Sequence, residues 1–391
     1  MHICMLAYTY YETDNRVRRY AETLVRRGDI VDVFALSQKA QGTFQIINGV
    51  NVYRIQERII NERGKFAYLY RLLKFLLRSG ILLTKKHLTQ PYDVVHVHSV
   101  PDFEVFAAFL VKLMGAKVIL DIHDLVPEFY GAKFGTNGNS MIFKSLVLAE
   151  KLSIRFSDHV IISNHIWYDR LISRSVNRSK CTVIMNYPDN TIFGPNNKPP
   201  KVSSEFKMLY PGTLSWHQGL DVAIKAFARI SEQVPQANFY LYGDGPQRAE
   251  LEELILKLGL EDRVLMKGLR PIDEIARIMA DADLGIVPKR DDSFGGEAFS
   301  TKTLEFMSLG VPIIVSRTRI DKYYFNDDCV RFFQPESEQE LADSMLYLIT
   351  NEDARRRLVG NALNVAAENS WHIKKHYYLD LIDSIVRDSG A

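Results

Sequence analysis

Along the chain, short runs rich in β-branched and aromatic residues alternate with longer stretches whose apolar positions recur every three to four residues. The runs "HICMLAY", "IVDVFAL", "VNVYRI", "DVVHVH", "KVILDI" and "DHVIIS" form one series, and "KMLYPG", "NFYLYG", "RVLMKG", "LGIVP" and "VPIIVS" form a second. Apolar runs of this length between amphipathic stretches predict parallel strands in βα units, and hence an α/β fold. Between the two series lies "FGPNNKPPKVSSEF", whose Pro, Asn and Ser predict a linker. The expectation is two doubly wound domains, residues 1–198 and 199–370. A C-terminal helix over residues 371–391 follows, read from "SWHIKKHYYLDLIDSIVRD". Ligands of such sheets sit at the carboxyl ends of the strands, so a cleft between the domains is the expected place for chemistry.

Composition changes this picture little. A chain of 391 residues, 47% hydrophobic and 25% charged, can bury a core twice over. Its apolar runs are broken by charge well short of the roughly 18 to 20 residues of a membrane span, and the N-terminus reads as a strand with no signal peptide, so a cytoplasmic location is expected. Cys4, Cys181 and Cys329 are too scattered for a disulfide framework or a zinc knuckle.

Charge adds more. Residues up to Lys198 carry 26 Lys and Arg against 17 Asp and Glu, a surplus of +9, while the remainder carries 23 against 30, a deficit of −7. A basic half fits an anionic partner, either a membrane surface or nucleic acid, and no recognised nucleic-acid module supports the latter. The stretch "KFAYLYRLLKFLLRSGILLTKKHL" interleaves Lys65, Arg71, Lys74, Arg78, Lys85 and Lys86 with apolar residues. It reads either as a helix lying on an anionic bilayer or as a core helix with snorkelling lysines.

The candidate chemistry lies in "LGIVPKRDDSFGGEAFSTKTLEFMSLGVPIIVS". A strand ends near Pro288, and Ser300 or Thr301 can cap a helix that runs to Leu309 before Gly310 and Pro312 stop it. Glu297 is then in the loop and Glu305 inside the helix, about 7 Å along its axis from the cap. With the loop added, the pair is too far apart for the roughly 5 Å of a retaining glycosidase. The two carboxylates instead flank a helix N-terminus, which favours phosphate. A ligand with hydroxyls at both ends and phosphates in the middle fits, and a nucleotide sugar is such a ligand.

The spacing of Glu297 and Glu305, followed by "SLGVPIIVS", resembles the signature of the retaining glycosyltransferases of family 4, whose GT-B fold has two Rossmann-like domains facing a cleft. The resemblance continues in order through "LYPGTLSWHQGLDVAIKAF", "FYLYGDGPQRAELEELILKLGLEDRVLMKG" and "IARIMADADLGIVP", and more loosely through "YDVVHVHSVPD" and "DIHDLVPE". It implies that Glu297 holds donor-sugar hydroxyls and Glu305 the ribose. It also implies that Gly243 and Gly245 let backbone approach the donor, that Leu269 and Arg270 meet the nucleobase, and that Phe299, Ser300 and Thr301 line the donor site. His123 then stands beside the reacting sugar, whereas His96 and His98, alternating along a strand, read as structural. A structural role for His123, paired with Asp121 or Asp124, is the competing reading.

The sequence departs from the family pattern at two places. Relatives carry an Arg and a Lys for the diphosphate where this chain has Thr213 and Gln218. Lys302 is the expected substitute, because a cation in the first turn opposes the helix dipole and lacks a local reason. Lys289 and Arg290 are second choices, or else charges on a solvated face. The first βα loop, "AYTYYETDNRVRR", lacks the family's glycines; Asp14, Asn15 and Arg16 are candidate acceptor contacts, with a helix cap by Thr13 or Asp14 as the alternative. Asp281 to Asp283 spell "DAD", a triplet that binds metal in another glycosyltransferase fold, but at the end of a helix it reads as structural. No metal and no cofactor is expected beyond the nucleotide-sugar co-substrate.

The activity so implied is metal-independent retaining transfer from a nucleoside-diphosphate sugar, UDP favoured, to a hydroxyl of a saccharide acceptor, lipid-linked by analogy with bacterial surface polysaccharide assembly. An epimerase of the same fold and a non-catalytic binding or scaffold protein are the rival readings.

Overall fold

The computed structural model describes residues 1–38, 41–58, 65–134, 140–195 and 204–387. The chain divides into two compact units, one of Met1–Asn186 with Lys375–Ala391 and one of Tyr187–Lys374. The predicted linker begins inside the second unit, and its residues 196–203 lie outside the described residues.

The first unit is built on an eight-stranded sheet. Its strands are β1 (His2–Ala7), β2 (Ile30–Ser37), β3 (Phe44–Ile47), β4 (Val50–Glu57), β5 (Val94–His98), β6 (Lys117–Ile122), β7 (His159–Ile162) and β8 (Cys181–Val183). Their order is β3-β4-β2-β1-β5-β6-β7-β8, and all neighbours are parallel except β3 with β4. Every residue of β1 and β5 is buried, as a parallel strand covered on both faces requires. The antiparallel β3 departs from the all-parallel expectation. Asn48 and Gly49, at φ of 49° and 83°, form the tight turn that returns the chain, and "NG" is the sequence signal for it.

The second unit holds β9 (Phe206–Pro211), β10 (Ala237–Tyr242), β11 (Val264–Met266), β12 (Leu284–Val287), β13 (Ile313–Ser316) and β14 (Arg331–Phe333), all parallel, in the order β11-β10-β9-β12-β13-β14. Its core joins Phe227, Phe239, Leu241, Ile286 and Met345 between the sheet and its helices. In each sheet the strand order reverses once, between β1 and β5 and between β9 and β12, and such a reversal opens a crevice at the strands' carboxyl ends.

The C-terminal helix Trp371–Arg387 serves both units in turn. Trp371 N–H donates to the Pro188 carbonyl (2.9 Å) within the second unit. Within the first, Tyr378 stacks on Tyr20 with ring centroids 4.2 Å apart, and Arg27 donates to Asp383 at 2.7 Å. Among the described residues, no helix is long and apolar enough to cross a membrane.

Candidate functional site

In the second unit, the crevice between β9 and β12 is filled from one side by the helix Thr301–Ser308, which starts at Ser300. Phe306 fixes that helix. Its ring lies where a Cβ on Gly285 of β12 would stand, 2.7 Å away, so only a glycine strand position lets the helix come this close. Lys302, in the first turn, is thereby laid along the end of β9. Its Cε is 2.3 Å from the position of a Cβ on Gly212, its ammonium is 5.2 Å from the centre of the Tyr210 ring, and it reaches Gln218 Oε1 at 3.4 Å. Burial pushes Lys302 down to about 8, with Glu305 pulling the other way. Lys302 and Gln218 are thus brought together, and the Tyr210 hydroxyl donates to the carbonyl of the exposed Thr213 (2.8 Å). Ser300 and Thr303 are buried, and neither hydroxyl finds a partner among the described residues.

The loop carrying Glu297 is strapped from several directions. Asp292 accepts from the Phe294 and Gly295 N–H groups (both 2.8 Å) and from His217 (2.7 Å). Although burial alone would raise it, the His217 contact and these N–H groups hold the Asp292 carboxyl below the usual range. The ammonium of Lys289, buried, donates to the Ala298 carbonyl (2.8 Å) and pairs with Asp321 (2.9 Å). Arg290 donates to Trp216 O (2.7 Å) and Asp221 (2.8 Å) and covers the Trp216 ring. Lys289 and Arg290 are therefore not charges on a solvated face. Their bonds to Ala298, Asp321, Trp216 and Asp221 help to close the loop. Glu297 itself is buried and accepts from Arg319 (2.9 Å), an exposed guanidinium after β13 that the sequence reading did not single out. Phe299 packs edge-on against Tyr324.

The glycines at the ends of β9 and β10 serve backbone packing. A Cβ on Gly243 would stand 1.8 Å from the Gly212 carbonyl oxygen, and one on Gly245 would stand 2.3 Å from the Leu214 carbonyl oxygen. The Gly212 N–H donates to Tyr242 O and the Leu214 N–H to Asp244 O, which stitches the two loops together. Leu269 and Arg270 are exposed at the end of β11, where Arg270 pairs with Glu274 (3.2 Å). Asp281 pairs with Lys207, and Asp283 accepts the Lys207 N–H, so the "DAD" carboxylates hold the start of β9.

In the first unit, the crevice between β1 and β5 is a pocket of about 220 Å³ lined by Ala7 to Thr9, Asp14, Arg58, Tyr68, His98 to Val100 and His123. His98 pairs in register with Ala7 on one side and Asp121 on the other, which sets the pocket across three neighbouring strands. The Asp121 carboxylate is the hub beneath it. It accepts two bonds from Arg16 (2.7 Å each) and lies 3.2 Å from His98 Nδ1, 3.3 Å from His123 Nε2 and 3.7 Å from His96 Nε2. Burial pushes the carboxyl up, but Arg16 and His123 hold it well below the usual range, while burial keeps His96 and His98 low. His96, His98 and Asp121 have the proximity of a metal site, yet a bidentate guanidinium on the carboxylate and Tyr378 on His96 Nδ1 (2.9 Å) make the cluster an ion-pair hub.

Arg16 is therefore placed under the pocket rather than in it. Its remaining N–H groups reach Asn186 and the Ile184 carbonyl, and the side chain is buried rather than open to the pocket. Asp14 caps the helix Asn15–Arg27 through the Arg16 and Val17 N–H groups and also faces the pocket; Asn15 begins that helix, half-buried. His98 lines the pocket beside His123, and the period-two spacing of "HVH" and "DIHD", which sets these side chains on one sheet face, was the signal for it.

Two family descriptions match the chain: "Glycosyl transferases group 1" over residues 196–365 and "Glycosyl transferase 4-like domain" over residues 13–187. The gpi3 subunit of phosphatidylinositol N-acetylglucosaminyltransferase from Schizosaccharomyces pombe is 25% identical over 343 residues, 86% of this chain and 70% of that protein. N-acetyl-alpha-D-glucosaminyl L-malate synthase of Bacillus anthracis is 22% identical over 315 residues, 79% and 77% of the two chains. Among solved structures, sucrose-phosphate synthase from Thermosynechococcus elongatus superposes with a TM-score of 0.78 at 18% identity, covering 98% of this chain and 99% of the other. Anabaena HepE in complex with UDP and glucose does so at 0.73 and 19%, covering 97% and 98%. The fold is GT-B.

Proposed function

The chain belongs to the GT-B glycosyltransferases of the family-4 type, and from that premise we propose that it moves a sugar, with retention of configuration and without metal, from a nucleoside diphosphate to an acceptor hydroxyl. The observation that carries this reading is Lys302. Its ammonium lies against Gln218, one of the two positions where relatives carry diphosphate cations, at the N-terminus of a helix and at the reversal point of the sheet. Charge accumulates on the diphosphate as the glycosidic bond breaks, and a cation with helix N–H groups already in place stabilises what develops in the transition state.

Glu297 orients the donor sugar, held by Arg319, and Glu305 takes the ribose. The acceptor attacks on the leaving-group face, and a phosphate oxygen helps take its proton. His123, in the first unit, is the proposed catalytic histidine, and its Asp121 partner fixes the ring. UDP is the favoured nucleotide, as in the solved HepE complexes, and a lipid-linked acceptor accords with the phosphatidylinositol substrate named for the gpi3 relative.

Calorimetric titration with UDP-, GDP- and dTDP-sugars, with and without divalent metal and with Lys302→Ala, tests the reading. One donor should bind without metal and lose most of its affinity in the variant. The product's anomeric configuration by NMR should match the donor's. A protein that binds no member of the panel would be a non-catalytic relative.

A further inference from the structure

The helix Lys65–Thr89 carries two apolar stripes, and the fold uses only one of them. Leu72, Phe75 and Leu83 are buried against the first unit's core, and Gly80 lets the helix approach the Ala107 backbone closely. A second stripe, Tyr70, Leu73, Leu77, Ile81 and Leu88, keeps the spacing of one helix face and is exposed, Leu77 and Leu88 by 65% and 70%. A helix that is apolar on all sides belongs inside a protein or against lipid.

The stripe continues onto two neighbouring elements. Phe106, Phe109 and Leu110, all exposed, join Leu77 and Ile81 around an open apolar groove of about 450 Å³. Phe106 and Phe109 then meet the ring of Phe156 at 5.2 and 6.4 Å. Phe156 ends the helix Met141–Phe156, on which Leu148 and Leu152 carry the same helical row outward, again exposed. An apolar surface spread over three elements exceeds the scattered exposed leucines of an ordinary surface.

Charge selects the occupant. The only carboxylates on residues 65–89, 102–116 and 141–156 are Asp102, Glu104 and Glu150, and all three are buried. Every exposed charge on these segments, among the described residues, is a cation: Arg78, Lys85, Lys144, Lys151 and Arg155. Apolar side chains bordered by charges of one sign match an anionic bilayer, whose headgroups carry the opposite charge over an apolar interior.

We infer that this face seats the first unit on an anionic membrane surface, with Leu77, Ile81, Phe109 and Leu113 among the acyl chains and the cations on lipid phosphates. Lys86 takes no part, because its ammonium lies 3.0 Å from Asp32 and 4.1 Å from the centre of the Tyr53 ring. The inference does not depend on the transfer reading, since it concerns a surface and not the site.

The test is flotation of the full chain with phosphatidylcholine vesicles, with and without phosphatidylglycerol. The parent should bind only the anionic vesicles, and binding should weaken roughly fivefold for each of Lys85, Lys151 and Arg155 changed to Gln. Ile81→Glu with Leu113→Glu should abolish it while thermal melting stays unchanged, both positions being outside the packed core. No binding by the parent, or binding that survives the double substitution, overturns the proposal. So does concentration-dependent self-association that the double substitution removes, because the face would then be an interface between copies of this chain.

Discussion

The Asp121 carboxylate touches His123 Nε2 at 3.3 Å while Arg16 clamps both of its oxygens at 2.7 Å. The clamp keeps the carboxylate ionised inside the fold and gives the histidine a fixed negative neighbour. Asp121→Asn should leave the Arg16 charge buried without its counter-charge, a loss of about 3–5 kcal/mol. Urea unfolding should show it as a lowered midpoint with an unchanged slope. The double variant Asp121→Leu with Arg16→Met should recover much of the loss, and a double variant as unstable as the sum of the singles would mean the pair is not coupled.

Glu297→Ala should lower kcat by roughly 100-fold, the scale of a misplaced reacting group, while nucleotide affinity survives. Arg319→Ala should lower kcat less, because it frees the carboxylate from one partner without removing it. Single-turnover rates and calorimetry on the same preparations separate the two effects. A Glu297→Ala enzyme with most of its turnover intact would remove the sugar-positioning role.

Much of this arrangement was legible in the sequence, and the failures have two causes. All eleven apolar runs became strands, because strands buried on both faces, such as β1 and β5, and strands buried on alternate residues, such as β4 and β10, both leave a compositional mark. The helix after Glu297 starts at Ser300 as its capping residue suggested, although the Ser300 side chain makes no capping bond. The strands β3, β8 and β14 were not anticipated, being short and partly exposed edge elements. Lys289 and Arg290 are buried rather than on a solvated face because partners distant in sequence, Asp321 and Asp221, hold them. Arg319 was missed for the same reason, lying 22 residues from Glu297.

Donor binding should depend on pH through Lys302. Burial holds its pKa near 8 in the free protein, below the 10.5 of an ordinary lysine, and a bound diphosphate favours the protonated form. Affinity should therefore be level below that value and fall by up to about tenfold per pH unit above it, with proton uptake on binding. Calorimetry in buffers of different ionisation enthalpy reads that uptake. Lys302→Ala should bind weakly at every pH and take up no proton, whereas a profile unchanged by the substitution would assign the titration to another group.

Closing the loop at Gly243 should be intolerant of any side chain. Its φ is 148°, and a Cβ would overlap the Gly212 carbonyl oxygen at 1.8 Å, so Gly243→Ala should cost about 1–3 kcal/mol and disturb the backbone beneath Lys302. Gly268 has φ of 73° but open space around it, so Gly268→Ala should cost nearer to 1 kcal/mol. Equal losses in thermal unfolding would show that the contact with Gly212 matters less than the backbone angle.

A buried acid supplies the last prediction. Ser79 Oγ is within donating distance of both the Phe75 carbonyl at 2.6 Å and Glu104 Oε1 at 3.1 Å, and its one hydrogen cannot serve both fully, so the buried Glu104 carboxylate is poorly satisfied when ionised. Burial pushes Glu104 up to about 8 although the Ser79 contact opposes it, and pushes Asp102 up to about 7 despite the bond from Ser99. Both groups hold a proton in the folded chain over a range where the unfolded chain, near 4.5 and 3.8, has lost it. Folding stability from these groups is complete below the unfolded values and is lost as pH rises through 7 and 8, at no more than about 1.4 kcal/mol per pH unit for each group. Glu104→Gln keeps the shape and an oxygen for Ser79 and cannot ionise, so urea unfolding across this interval should show a shallower decline than in the parent. Parallel declines in the two proteins would mean that Glu104 is already ionised in the fold.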